Sequence, residues 1–568
     1  MGVSTRRFRW AVGLLLAGVM LLSACSGGGS QSGQTDGGSQ SQQQSNTEPQ
    51  PQQGGTQTQP QTPAAQEKVL VWGRGGDSVS LDPIQVTDGE SFKVTHQIYE
   101  GLLDYAPGNT EVVPVLATEW EASEDGLEWT FKLRQGVKFH DGTPFNAEAV
   151  KINFDRWRDT SNPLHVGGDF PYYGYMFGGY DADSVIQDVQ VVDEYTVKFV
   201  LKQVQASFLQ DIAMVPFAIA SPKALQENPE GLNTNPVGTG PFKFVTWTKG
   251  DRIVLEANPD YWGGKPAIDR LIYRSIPDNN ARLVALQAGE LDVMDGVEPA
   301  FLPTIQAIGQ FDIVERPPMN VGYLAFNTQM APFDNVLIRR AINHAINKEE
   351  LNTAFYGGMG IPAVSPLPPS VWGHNPNVPK YEYSPDKAKE LLAQAGYGPD
   401  NPLKTQLWAM PVPRPYMPQP EQIGVALQNY LREVGIEAEI VTYEWGTYLE
   451  KTGMGEHTMA LLGWTGDNGD PDNFLYVLLD KDNAVTPDAG NIAFYVNDQV
   501  HDLLIRARQT TNQAERTRLY EEAQVLIMED APWVPLMHTR VPIAVRKGIT
   551  GYVPNPTGSE SLAKVQLP

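Results

Sequence analysis

Residues 26–66 are almost entirely Gly, Ser, Gln, Thr and Pro, with hardly an apolar side chain larger than alanine. Such a segment cannot bury enough surface to offset the entropy of ordering its backbone, so every packed element must lie after it. As a random coil its ends are expected roughly 35–40 Å apart, from about 5–6 Å times the square root of its length. It reads as a tether that holds a folded body clear of whatever fixes its other end.

That other end has its own pattern. Arg6, Arg7 and Arg9 form a basic run, residues 11–22 are apolar, and Leu22-Ser23-Ala24 puts small residues before Cys25. Residues 10–24 are too short to cross a bilayer, which takes about 20 apolar residues. The pattern resembles a lipoprotein signal peptide over residues 1–24. Cys25 would then become the lipidated first residue of the mature chain, heading the tether 25–66. A plain secretory signal with an incidental cysteine is the alternative. Cys25 is the single cysteine, so no internal disulfide can form. No later apolar run is long enough to span a membrane. The expectation is therefore an extracytoplasmic body on the outer face of the cytoplasmic membrane.

Beyond the tether, strands and amphipathic helices alternate. Residues 68–72 and 272–276 read as buried strands, and 129–133 and 196–201 as half-exposed ones. Asn146 is placed to cap a helix through about Trp157, and Ser384-Pro385 to start another that Gly396 stops. Ile423, Leu427, Tyr430, Leu431 and Val434 stripe a helix that ends at Gly435 before a strand at 438–443. Asn512 caps one more, followed by a strand-like run at 533–537. Helices alternating with buried strands predict α/β lobes. The length and the 41% hydrophobic content allow about three or four units.

Two loops concentrate recognition chemistry. Leu407-Trp408-Ala409-Met410-Pro411-Val412-Pro413-Arg414-Pro415-Tyr416 and Gly463-Trp464-Thr465-Gly466-Asp467-Asn468-Gly469-Asp470-Pro471-Asp472-Asn473-Phe474 each follow an apolar run and are rich in Pro or Gly. Both are expected to leave strands. One offers an arginine between two prolines, the other carboxylates beside a tryptophan. Arginine grips a carboxylate bidentately and aspartate accepts charge-assisted hydrogen bonds from an ammonium, so the pair suits the two ends of a short peptide. Trp408, Tyr416 and Trp464 are candidate walls, with core packing as their alternative. Asp470 and Asp472 compete with Asp467, or serve as caps. The acidic run lacks the order and the late glutamate of a calcium loop, and proline interrupts it, so calcium is not expected.

With these motifs the chain resembles the solute-binding proteins of oligopeptide-type ABC importers, solute-binding family 5, and above all their dipeptide-binding branch. Ile440-Val441-Thr442-Tyr443-Glu444-Trp445-Gly446, Pro236-Val237-Gly238-Thr239-Gly240-Pro241-Phe242, Asp260-Tyr261-Trp262-Gly263 and Phe139-His140-Asp141-Gly142 add to the match. The resemblance implies a two-lobed α/β periplasmic-binding-protein fold of the Venus-flytrap kind, with an extra subdomain in the first lobe. The first lobe would span 67–318, the second 319–535, and 536–568 would return to the first. The chain would cross between lobes near 316–320 and 531–537. The resemblance further implies that Arg414 holds a ligand carboxylate and Asp467, beside Gly466, its ammonium. A first-lobe loop around Thr87 would cover the ligand. The role implied is dipeptide or short-oligopeptide capture by a monomer, without catalysis or cofactor, in an open form that closes on its guest. Delivery would be to the transmembrane subunits of an ABC permease, whose ATPase subunits lie on the far side.

Other readings are weaker. A net charge of −25 argues against nucleic acid. The eight histidines are scattered without a metal-binding spacing, and there is no P-loop. Ser384-Pro385-Asp386-Lys387 with Lys451-Thr452-Gly453 imitates a penicillin-recognising serine hydrolase. Yet Ser-Asp-Asn is missing, Ser384 already serves as a cap, and Lys451–Gly453 reads as a Gly-rich turn. Within the family, glutathione, haem and metal chelates are rival ligands. Haem needs no ammonium partner, and a chelate calls for histidine.

Overall fold

The structure is a computed structural model that describes residues 67–568 except Asp169 and Asp488. The signal peptide, Cys25 and the tether lie outside the described residues. No helix among the described residues is long and apolar enough to cross a membrane.

Two large sheets carry the architecture. A seven-stranded sheet runs Phe311–Arg316, Val541–Arg546, Val293–Met294, Val69–Arg74, Arg270–Ser275, Arg252–Ala257 and Phe242–Thr248 from edge to edge. A six-stranded sheet runs Gly360–Pro362, Trp533–Thr539, Asn320–Phe326, Met459–Thr465, Leu403–Trp408 and Ile436–Val441. Within the first lobe's sequence sits a four-stranded antiparallel sheet, Ala117–Ala122, Glu128–Leu133, Thr196–Leu201 and Ile186–Asp193, backed by helix Ala147–Arg158. This is the two-lobed α/β arrangement expected, with the extra subdomain built around its own sheet.

The second lobe shows why its sequence reads as it does. All seven residues of Asn320–Phe326 are buried. Val321, Tyr323 and Ala325 face a core with Phe474, Leu519 and Ile527, while Leu324 and Phe326 face another with Ile342, Leu427 and Leu431. A strand covered by helices on both sides is continuously apolar, not alternating. Tyr323 stacks on Trp533 of the adjacent strand at 3.7 Å between ring centres.

Local signals place most ends well. Asn146 caps Ala147–Arg158 by accepting from the Ala149 amide at 3.1 Å, and Ser384 caps Pro385–Gln394 through the Lys387 amide at 3.3 Å. Three boundaries differ. The strand expected at 438–443 is Ile436–Val441, because its pairing with Leu403–Trp408 starts directly after Gly435. Lys451–Gly453 is the last turn of helix Trp445–Gly453 and not a Gly-rich turn, since Glu444 caps that helix and starts it early. The chain passes from the six-stranded to the seven-stranded sheet at Arg540, after the segment 531–537 where the crossing is expected. Trp533–Thr539 pairs with Asn320–Phe326 as far as Met537 and with Gly360–Pro362 to its end, and so belongs to the six-stranded sheet. At this crossing Asn320 donates to the Thr539 carbonyl at 3.0 Å and accepts from its amide at 2.8 Å.

Candidate functional site

Leu403–Trp408 and Met459–Thr465 are neighbouring parallel strands, with Leu407 and Trp408 opposite Met459 and Ala460. Parallel neighbours end at the same edge of a sheet, which is where α/β sheets present their binding loops. Both loops therefore leave toward the same edge, the arginine loop after Trp408, opposite Ala460, and the aspartate loop farther along its neighbour, after Thr465.

Arg414 heads a tight turn. Its amide donates to the Met417 carbonyl at 3.0 Å, and the Met417 amide returns the bond at 2.9 Å. The guanidinium lies over the Trp445 ring, 4.8 Å from its centre. Its Nη1 donates to the Pro413 carbonyl at 3.3 Å, and no carboxylate pairs with it among the described residues. Tyr416 is only 6% exposed, and its ring packs where a Cβ on Gly463 would have to stand. Burial pushes the Tyr416 phenol up to about 12, with Arg414 beside it acting the other way.

Asp467 is held by Asn473. The Asn473 Oδ1 accepts from the Asp467 amide at 3.0 Å and from the Trp464 indole at 3.0 Å, while Nδ2 donates to Asp467 Oδ2 at 3.1 Å. Gly466 precedes it because a Cβ there would lie 2.7 Å from the Phe474 ring. The other carboxylate oxygen accepts from the Tyr172 phenol at 3.0 Å, and Tyr172 belongs to helix Pro171–Phe177 of the extra subdomain. Burial pushes the Asp467 carboxyl above its ordinary value, against the bonds from Asn473 and Tyr172. No cation pairs with it among the described residues.

Trp408 requires a correction. It is 2% exposed and its ring lies among Tyr443, Tyr448 and His457, so it is core and not a wall of the cleft. It closes the end of a strand buried between helices, a position equally suited to an aromatic wall or an aromatic core in sequence. Thr87 is exposed, in the loop before helix Gly89–Ile98. That helix reaches the site through Phe92, whose ring contacts Tyr172 at 5.8 Å.

The aspartate loop is in contact with the extra subdomain. Asn468 donates to Asp211 at 3.0 Å, Arg516 donates to the Ala206 carbonyl at 3.3 Å and to Asp470 at 2.8 Å. A cavity of about 560 Å³, bordered by Met176, Gln205, Ser207, Asp472 and Arg508, runs along this junction. At the same junction the Tyr172 hydroxyl donates to Asp467. Tyr172, Asn473 and Trp445 were not singled out from sequence. Tyr172 lies in the aromatic run Pro171-Tyr172-Tyr173-Gly174-Tyr175, and Trp445 in the motif after the strand, which were the available signals.

Residues 111–485 match the profile described as bacterial extracellular solute-binding proteins, family 5 middle. The chain belongs to this family. This family 5 protein is 39% identical over 518 residues to the dipeptide-binding protein of Escherichia coli (strain K12), covering 89% of this chain and 95% of that one. It is 36% identical over 503 residues to heme-binding protein A of Haemophilus influenzae, covering 86% and 90%. It superposes on the crystal structure of a dipeptide-binding protein from Pseudoalteromonas sp. SM9913 in complex with Met-Leu, with a TM-score of 0.72 and 33% identity over 88% of this chain and 100% of that one. The two-lobed periplasmic-binding-protein fold follows, and with it a transport receptor of the ABC type.

The hydrolase imitation finds no support in the geometry. Ser384 is occupied as a helix cap, and Lys387 pairs with Glu390 at 2.9 Å.

Proposed function

We propose that this family 5 protein is an extracytoplasmic receptor, anchored through lipidated Cys25, that captures dipeptides and short oligopeptides for an ABC permease. The observation that carries this is that, among the described residues, the Arg414 guanidinium pairs with no carboxylate and the Asp467 carboxylate with no cation, on loops from neighbouring parallel strands. A dipeptide docks with its carboxylate on Arg414 and its ammonium on Asp467. Tyr172 and the Thr87 loop then cover it. Closure removes water, which strengthens both ion pairs. Trp464 and Tyr416 serve the site by fixing Asp467 and Arg414.

Haem is the second reading, because a relative of similar identity is named for it. Asp467 weighs against haem, which brings carboxylates and no ammonium. Calorimetric titration with alanyl-alanine, its N-acetyl and C-amide forms, a tripeptide, glutathione and haem separates them. The free dipeptide should bind most tightly, and Arg414→Ala should weaken it by roughly 30-fold or more, since a desolvated carboxylate loses its partner. N-acetylated ligand or haem binding as tightly as the free dipeptide refutes the proposal. Cys25→Ser should move the protein from the membrane to the soluble fraction.

A further inference from the structure

Arg414 has a long, flexible side chain, yet a carboxylate anchor needs a fixed guanidinium plane. Few hydrogen bonds fix it: the Pro413 carbonyl is 3.3 Å away, and Tyr416 is its neighbour. The face of the group instead rests on Trp445, at 4.8 Å from the ring centre. A cation held by an aromatic face keeps its edge N–H donors free, whereas one held by carbonyls or carboxylates spends them.

The ring beneath is itself supported. Trp445 opens helix Trp445–Gly453, whose first turn is capped by Glu444 accepting from the Gly446 and Thr447 amides at 3.0 and 3.3 Å. Its ring stacks on Tyr448, with centres 6.0 Å apart and planes 14° from parallel. The Tyr448 hydroxyl is within hydrogen-bonding distance of two carbonyls, Leu461 at 2.7 Å and Trp408 at 3.1 Å. Trp408 ends the strand that feeds the Arg414 loop, and Leu461 lies in the strand that feeds Asp467. Arg414, Trp445 and Tyr448 thus form a column standing on both strands that deliver the anchors.

We infer that Trp445 is the positioning residue of the carboxylate anchor: stacked on Tyr448, it fixes the plane of Arg414 and leaves its donor edge to the ligand. This rests on Arg414 binding the ligand carboxylate. Trp445 touches no ligand in this scheme, so its effect is selective for the carboxylate end.

The test is calorimetry with alanyl-alanine and alanyl-alanine amide on the wild type, Trp445→Phe and Trp445→Leu. Trp445→Leu should lose roughly five- to tenfold in affinity for the free acid, the size of a partly desolvated cation–π contact, and keep its affinity for the amide. Trp445→Phe retains an aromatic face and should stay within about threefold of wild type. Arginine side-chain NMR gives a readout that needs no ligand. The Arg414 Nε–H signal should be ring-current shifted in wild type and Trp445→Phe, and move toward its ordinary position in Trp445→Leu. Equal losses for acid and amide in Trp445→Leu, or an Arg414 signal unmoved by that change, would overturn the inference. A wild type that binds acid and amide alike overturns the dipeptide reading, while the NMR result still decides whether Trp445 holds Arg414.

Discussion

Asp211 offers the sharpest perturbation, because it sits where the extra subdomain meets the aspartate loop. It is 2% exposed and accepts three hydrogen bonds, from Gln205 at 2.5 Å, Ser207 at 2.8 Å and Asn468 at 3.0 Å. Burial nevertheless pushes its carboxyl up to about 8, with Asp470 and Asp472 adding to the shift against the bonds from Ser207 and Gln205. An unfolded aspartate titrates near 3.9, so between about pH 4 and 8 the folded protein holds a proton that the unfolded chain has released. Stability from this group is therefore full below about pH 4 and is lost as pH rises toward 8. One proton is worth about 1.4 kcal/mol per pH unit, so this site costs about 3 kcal/mol between pH 5.5 and 7.5. Asn cannot ionise, and a flip of the Gln205 amide lets its oxygen accept from the new NH2 group. Asp211→Asn should therefore remove one proton's worth of slope from the pH dependence of urea unfolding. Glu100, pushed up to about 7 by burial against bonds from Trp262, Thr239 and Tyr261, adds a slope of the same sign to both proteins, so the readout is their difference. Parallel pH profiles for wild type and Asp211→Asn would refute the reasoning.

Three other changes have defined outcomes. Asp467→Asn keeps the shape that Asn473 and Tyr172 enclose but loses the charge. It should weaken free dipeptides by roughly 30-fold or more in calorimetry and erase the preference over N-acetyl forms. Gly463→Ala puts a methyl where the Tyr416 ring lies, and overpacking of this kind should cost about 1–3 kcal/mol in urea unfolding and weaken dipeptide binding as the Arg414 turn shifts. Arg516→Met leaves Asp470, fully buried and 2.8 Å from that guanidinium, without its cation; a loss of about 3–5 kcal/mol is expected in the same assay.

The sequence was most legible where the physics is local. Side-chain caps at Asn146, Ser384 and Asn512 fix helix starts within a few residues, and the run Val321–Phe326, free of charged and hydrogen-bonding side chains apart from the Tyr323 phenol, belongs to a strand buried on both faces. The two loops were recognisable because Pro, Gly, Arg and Asp cluster after apolar runs. Two boundaries slipped where a neighbour decides the matter. Thr539 is strand only because Gly360 pairs with it, and Ile436 is strand because Leu403 does.

Tertiary structure alone decided which side chains the loops present and what they meet. Trp408 and Trp445 are both aromatic residues near strand ends, yet one is sealed among Tyr443, Tyr448 and His457 while the other carries Arg414. Tyr172 finds Asp467 from 295 positions away. Residue type and spacing specify what a segment can do through its own backbone and nearest neighbours. Burial, and the partner across a cleft, depend on how distant segments pack. No periodicity records that.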